Sequence, residues 1–327
     1  MNDIHSKYQS VSEINVSLIL TIKNEDNTIQ ELIDSIKNQS KKANEIIIVD
    51  GGSTDKTVSI IQNNICNKKI PIKLIVSSNA NIAQGRNIAI RNSKNDIIAC
   101  TDGGCKLHPE WLQNIVKPFL ELDVDVVSGL YAPWFENEFE KIASYLIFPN
   151  FKKIHIVTFL PSGRSIAFKK EVWKAVGGYP EWLNIAEDTL FDLKLKKLKM
   201  KFVLARDAIV YWRVRKNIRE IFKQFYNYAK GNGLAFQFLE RFFIRYAIIS
   251  LMLIIIYVWN SIFSWFFISV LIFTGLWIKH LRKIESITFK QIFIALLIAS
   301  TIEIGILLGY PRGIITRLKL IAIKHRI

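Results

Sequence analysis

Cysteine is scarce in this chain and histidine little commoner. The three cysteines, Cys66, Cys100 and Cys105, form no C-x-x-C pair, and their odd number argues against a disulfide framework and for a reducing compartment. The five histidines, His5, His108, His155, His280 and His325, are scattered without metal-ligand spacing, so no zinc site is expected. Residues Met1 to Ser12 lack the apolar core of a secretory signal. Internal repeats and low-complexity tracts are missing too. Acidic residues thin out along the chain. Residues 1–193 carry 21 Lys/Arg against 23 Asp/Glu, residues 194–245 carry 14 against 3, and residues 246–327 carry 9 against 2. The net charge of +16 therefore sits just before and between apolar segments. A nucleic-acid binder can be equally basic. A basic block beside apolar runs instead reads as charge facing anionic lipid, and no nucleic-acid partner is expected.

From Ala247 to Ile278 there are 32 residues without one formal charge. A single straight helix of that length would run about 48 Å, well past a hydrocarbon core of about 30 Å. Two short spans turning near Asn260–Ser264 fit better. A further apolar run covers 291–309 with Glu303 inside it. The expectation is a membrane region over 236–310, with segments at about 244–260, 262–279 and 291–309, then a basic tail over 311–327. Buried helices of a soluble domain are the alternative, though nothing polar patterns these runs. Three full spans would put the basic tail outside, against the positive-inside tendency, so the last run is re-entrant or the tail an exception.

After a tail over 1–13, residues 14–235 carry a different pattern. Short apolar runs at 14–20, 45–49, 72–76, 97–101 and 124–130 predict strands. Between them, helical spacing over 28–40, around 58–65, at 83–93 and over 109–122 predicts helices. Strands alternating with helices, in continuous β-branched runs, predict an α/β fold with a doubly wound, mostly parallel sheet covered on both faces. Beyond residue 135, helices are predicted at 136–148, 170–176, 187–199 and 217–231, with a loop entering a strand at 161–168.

Ligands of such sheets bind beyond the carboxyl ends of the strands. Asp50 and Asp102 both stand there, each opening a Gly-rich turn. A carboxylate at Asp50 can accept a hydrogen bond from a base N–H or a ribose hydroxyl, while Gly51 and Gly52 allow close backbone approach. Asp102, followed by Gly103, can meet a phosphate-bound Mg²⁺ or Mn²⁺, or a ribose. Arg86, after Gly85, can hold a phosphate. Asp188, beside Glu187 at a helix start, can serve as general base toward a hydroxyl. Each has a plainer alternative: turn chemistry at the two aspartates, a surface arginine, and helix-start acids stabilised by the macrodipole.

In order the chain reads VSLILTIKNE, IIIVDGGSTDKT, NIAQGRNIAI, DIIACTDGGC, SGRSIAF and GGYPEWLNIAEDTLFDLKLKK. This series resembles the family 2 glycosyltransferases of the GT-A fold over roughly residues 14–235, most specifically at VDGGSTD and the late Glu-Asp. The resemblance implies an inverting transferase that moves a sugar from a nucleotide-sugar donor to a membrane lipid or lipid-linked acceptor such as a polyprenyl-phosphate. It places Thr21, Lys23 and Glu25 against the nucleotide, Asp50 with Gly51 at the base, and Arg86 near the phosphates. Asp102 becomes the first acid of an Asp-X-Asp motif, with Gly103 beside it, and the metal ligand. Asp188 becomes the catalytic base beside Glu187, and Ser162, Gly163 and Arg164 line the loop near sugar and acceptor. Two departures matter. Gly104 replaces the second acid of Asp-X-Asp, which puts the divalent metal in doubt. The Gln-X-X-Arg-Trp of processive synthases is missing, its nearest counterpart being Gln224 to Tyr228. The implied location is the cell membrane, multi-pass, with the catalytic domain cytosolic. A membrane scaffold that keeps nucleotide binding without catalysis is the other reading.

Overall fold

The structure is a computed structural model, and it describes residues 11–66, 71–151, 154–259, 275 and 288–324. The chain divides into two compact units, 1–133 with 150–213, and 134–149 with 214–327.

In the first unit the β-branched runs form one side of a sheet, with β3 at its edge. Strands β1 (Val16–Ile22), β2 (Glu45–Asp50), β3 (Ile72–Val76) and β4 (Ile97–Asp102) alternate with helices α1 (Ile29–Lys37), α2 (Thr57–Cys66) and α3 (Ile82–Asn92). Then come β5 (Cys105–Leu107), α4 (Trp111–Val116), α5 (Pro118–Glu121), β6 (Val126–Trp134), β7 (Ile166–Lys169), α7 (Lys170–Ala175), α8 (Glu187–Lys197) and β8 (Phe202–Arg213); α6 (Glu138–Ile147), between β6 and β7 in the chain, belongs to the second unit. The eight strands lie in the order β3-β2-β1-β4-β7-β6-β8-β5. Pairing is parallel among β1 to β4 and antiparallel for β4 with β7, β7 with β6, and β5 with β8. The parallel half is the part that unbroken apolar runs could announce. Its alternate residues bury into opposite cores. Leu18, Leu20, Ile46 and Ile48 pack on one face with Leu32, Trp111 and Ile115. Ile19, Ile47, Val49 and Cys100 pack on the other with Ala89, Ile90 and Phe191. That two-sided burial is why these strands show no polar alternation.

The register sets the site. Ile22 pairs with Asp50, and Thr21 with Asp102, so the two acids end the strands on either side of β1, one residue apart in register. Strand order reverses direction between β1 and β4, the switch point where open α/β sheets take ligands.

Strand β8 lies within the basic stretch 194–245, where no strand is predicted. Ala208, Val210 and Trp212 are buried at period two, and Arg206 and Asp207 are exposed. Its charges hid an edge-type alternation that marks a strand.

In the second unit, α9 (Ile218–Leu234) and α10 (Leu239–Trp259) precede α11 (Phe289–Lys324), 36 residues long. α9 packs on α11 along Gly305, Gly309 and Gly313. A Cβ at Gly309 would collide with the Tyr226 carbonyl, and one at Gly313 with the Lys230 carbonyl. Glu303, the lone acid of its apolar run, pairs with Arg245 of α10 at 3.0 Å. The tail expected from 311 continues the helix through Pro311 to Lys324. Among the described residues one helix, Phe289–Ile323, is long and apolar enough to cross a membrane. The segment expected at 262–279 lies outside the described residues but for Gly275.

Candidate active site

Arg86 organises the site. Gly85 brings α3 against β1, where a side chain would collide with Thr21. Arg86 is 1% exposed and holds two carboxylates, Nη2 to Asp102 Oδ1 and Nη1 to Glu187 Oε1, both at 2.6 Å. Its guanidinium lies 5.2 Å from the ring centre of Tyr179. The arginine expected at the phosphates is thus spent on joining β4 to α8. Gly163 seals it in, since a Cβ there would strike the guanidinium.

Helix α8 starts under strain. Ala186, its N-cap, sits at φ 66°, a left-handed conformation that costs a residue with a Cβ about 1–2 kcal/mol. The two acids follow at once. Glu187 is buried, and burial together with the Asp188 charge pushes its carboxyl up to about 7 despite Arg86. Asp188 is only partly buried. Its Oδ1 accepts from the Thr189 N–H at 2.7 Å and its Oδ2 from the Gly163 N–H at 3.3 Å. Arg86, Asp102, Glu187, Asp188 and Gly163 are therefore brought together.

The other expected residues lie as follows. Asp50 is fully buried, and its Oδ2 accepts from the Gly52 and Ser53 N–H groups at 2.9 Å each, with the Ser53 hydroxyl on Oδ1. Its carboxylate thus shapes the turn that starts at Gly51, whose tight packing leaves a Cβ 2.7 Å from the Ala80 carbonyl. Thr21 is buried, whereas Lys23 is exposed. The β1–α1 loop is stitched to the β2–α2 loop by Asn24 N–H to Ser53 Oγ at 2.8 Å and Glu25 N–H to Thr57 Oγ1 at 2.7 Å. Ser162 Oγ accepts from Arg164 Nη1 at 2.9 Å. Burial pushes the Cys100 and Cys105 thiols up to about 12, so neither is a nucleophile at neutral pH.

A divalent cation needs oxygen ligands, several of which a phosphate can supply. Asp102 has one oxygen on Arg86, and Gly104 offers none. The Glu25 carboxylate occupies the space those glycines vacate. A Cβ at Gly103 would lie 3.0 Å from Glu25 Oε1, and one at Gly104 would lie 3.6 Å from Oε2. Among the described residues no group of three or more His, Cys, Asp or Glu is placed to hold a metal ion. Asp102 and Glu25 are thus the carboxylates at this turn that a cation carrying most of its oxygens on its own ligand could meet.

Two residues escaped the sequence reading. Asp192, one turn beyond Asp188, is 1% exposed and its oxygens have no partner among the described residues. Burial, then the Asp188 charge, pushes its carboxyl well above the usual carboxylate range. The signal was an acid between the apolar positions Phe191 and Leu195. Tyr179 stacks on Phe191 at 4.1 Å beneath Arg86, with only its place in GGYPE to flag it.

Comparison with known proteins agrees with this geometry. Residues 97–307 match glycosyl transferase family group 2 and residues 17–174 match glycosyl transferase family 2. The chain belongs to the family 2 glycosyltransferases. It is 26% identical to the glycosyltransferase AglE of Haloferax volcanii over 59% of this chain and 65% of that protein. It is 24% identical to the O-antigen chain rhamnosyltransferase RfbN of Salmonella typhimurium over 65% of this chain and 70% of that one. Among solved structures, the mannosyltransferase PcManGT of Pyrobaculum calidifontis, in complex with GDP-Man and Mn²⁺, superposes with TM-score 0.54 at 22% identity over 68% of this chain and 63% of that one. TarS of S. aureus superposes with TM-score 0.52 at 21% identity over 66% of this chain and 39% of that one. These neighbours bear out the GT-A type fold.

Proposed function

We propose that the protein is an inverting glycosyltransferase that moves one sugar from a nucleotide-sugar donor to a membrane-associated acceptor, a polyprenyl-phosphate or lipid-linked glycan. The observation that carries this is Asp188. It is a partly open carboxylate at a strained helix start, joined through Glu187, Arg86 and Asp102 to the strand end where a donor would lie. Inversion needs one in-line displacement, in which Asp188 takes the acceptor hydroxyl's proton. Glu187 keeps Arg86 and α8 in place. Asp102 and Glu25 would hold a divalent metal, Mg²⁺ or Mn²⁺, which when bound supplies positive charge to the diphosphate. The nucleotide sugars bound by solved neighbours support the donor class. The acceptor rests on the apolar helix Phe289–Ile323 and on a relative named cholesterol galactosyltransferase. The catalytic unit faces the cytosol and the chain is anchored by more than one span.

Sealed, cytosol-side-out vesicles carrying the full chain test these points together. Given labelled nucleotide sugars, they should pass one sugar into the lipid fraction without permeabilisation, and chelation should stop the transfer until Mg²⁺ or Mn²⁺ returns. Label appearing only after permeabilisation would overturn the sidedness. Undiminished transfer after exhaustive chelation would remove the metal. Label reaching only water-soluble products would remove the lipid acceptor.

A further inference from the structure

We propose that Arg164, rather than Arg86, is the cation that meets the departing diphosphate of the donor; the assignment rests on the transferase reading above. Arg86 cannot do this without giving up partners, because both terminal nitrogens are committed to Asp102 and Glu187 and the side chain is 1% exposed. Arg164 is placed differently. Its guanidinium carbon lies 4.3 Å from the Trp212 ring centre and 5.9 Å from that of Tyr131, and Nη1 donates to Ser162 Oγ at 2.9 Å. The two aromatic rings stand edge to face at 84°, making a shelf for the cation. Strand register then locates the shelf. Trp212 pairs with Cys105, the residue directly after Asp102-Gly103-Gly104. The guanidinium therefore lies beside the turn where a donor's phosphates are expected. The Cys105 thiol reports the same neighbourhood, with Asp102 raising its pKa and Arg164 lowering it on top of the larger effect of burial. A guanidinium stacked by its face presents an N–H edge, which matches phosphate oxygens in pairs.

In the transfer, the bond from the sugar's anomeric carbon to the β-phosphate oxygen breaks and its electron pair stays on that oxygen. The acceptor oxygen bonds to the carbon, and its proton goes to Asp188. The negative charge gained by the diphosphate is what Arg164 offsets. Gly104 makes this contribution larger, since a cation held without a carboxylate at that position leaves more charge for a side chain to meet.

The test is nucleotide binding to the full chain in detergent, with and without Mn²⁺. UDP, UMP, GDP and GMP are titrated against wild type, Arg164→Gln, Arg164→Lys and, as control, Arg91→Gln, which lies on the surface paired with Glu181. The wild type should prefer one diphosphate over its monophosphate. Arg164→Gln should lose about ten- to a hundredfold in affinity for the diphosphate, the worth of a hydrogen bond to a charged group, while holding the monophosphate unchanged. Arg164→Lys should recover part of the loss, and Arg91→Gln should match wild type. Unchanged diphosphate affinity in Arg164→Gln, or equal losses for mono- and diphosphate, would overturn the assignment alone. Failure of the wild type to bind any of these four, or any of the corresponding adenine, cytosine and thymine nucleotides, would overturn the proposed donor site and the assignment with it.

Discussion

Glu187 and Asp188 are chemically alike and adjacent, yet their surroundings give them different work. Glu187 is buried against Arg86, and Asp188 stays partly open under the Gly163 amide. The pH dependence of stability follows from the first. Glu187 has a folded-state pKa of about 7 against an ordinary 4.5, so between those values the folded protein holds a proton that the unfolded chain releases. Stability therefore falls as pH rises through that window and levels off above it. Comparing thermal midpoints of wild type and Glu187→Gln from pH 4.5 to 7.5 should show the wild-type decline flattened in the variant. Parallel curves would mean that Glu187 does not titrate there. At this scale the sequence was only half legible. Asp102, Glu187 and Asp188 could be picked out by their places at a strand end and a helix start. What Arg86 touches could not, because its partners lie 16 and 101 residues away along the chain.

Elements were legible where one force dominated. Strands β1, β2 and β4 are buried on both faces, so their apolar runs announced them, and the edge strand β3 showed by its short run of β-branched residues. Strand β8 went unread because its charged residues masked a period of two, and β5 has only three residues. The α9–α11 pairing could not be seen either, since a glycine at every fourth position becomes a packing surface only once the partner is known. That pairing makes a prediction. Gly309→Val puts a side chain into the Tyr226 carbonyl and should destabilise the second unit by about 1–3 kcal/mol, the usual cost of overpacking. Leu308→Ala, at an exposed neighbouring position, should cost under about 0.5 kcal/mol. Thermal unfolding in detergent compares them. Equal midpoints for the two variants would mean that the helices do not approach as closely as described.

For the molecule as a whole, the two units carry different features. The first unit carries the switch point, the two strand-end acids and the α8 carboxylates. The second carries Phe289–Ile323, with Glu303 neutralised by Arg245 so that its one acid does not interrupt the apolar run. The central claim is that Asp188 takes the proton of the acceptor. Asp188→Asn keeps the size of the side chain and its ability to accept the Gly163 amide, but it cannot act as a base. The most direct measurement is sugar transfer by full-length wild type and Asp188→Asn, with donor binding followed in the same preparations. Transfer should fall by about 10²–10⁴-fold, the usual worth of a general base, while donor affinity holds. Near-normal turnover in Asp188→Asn would contradict the account.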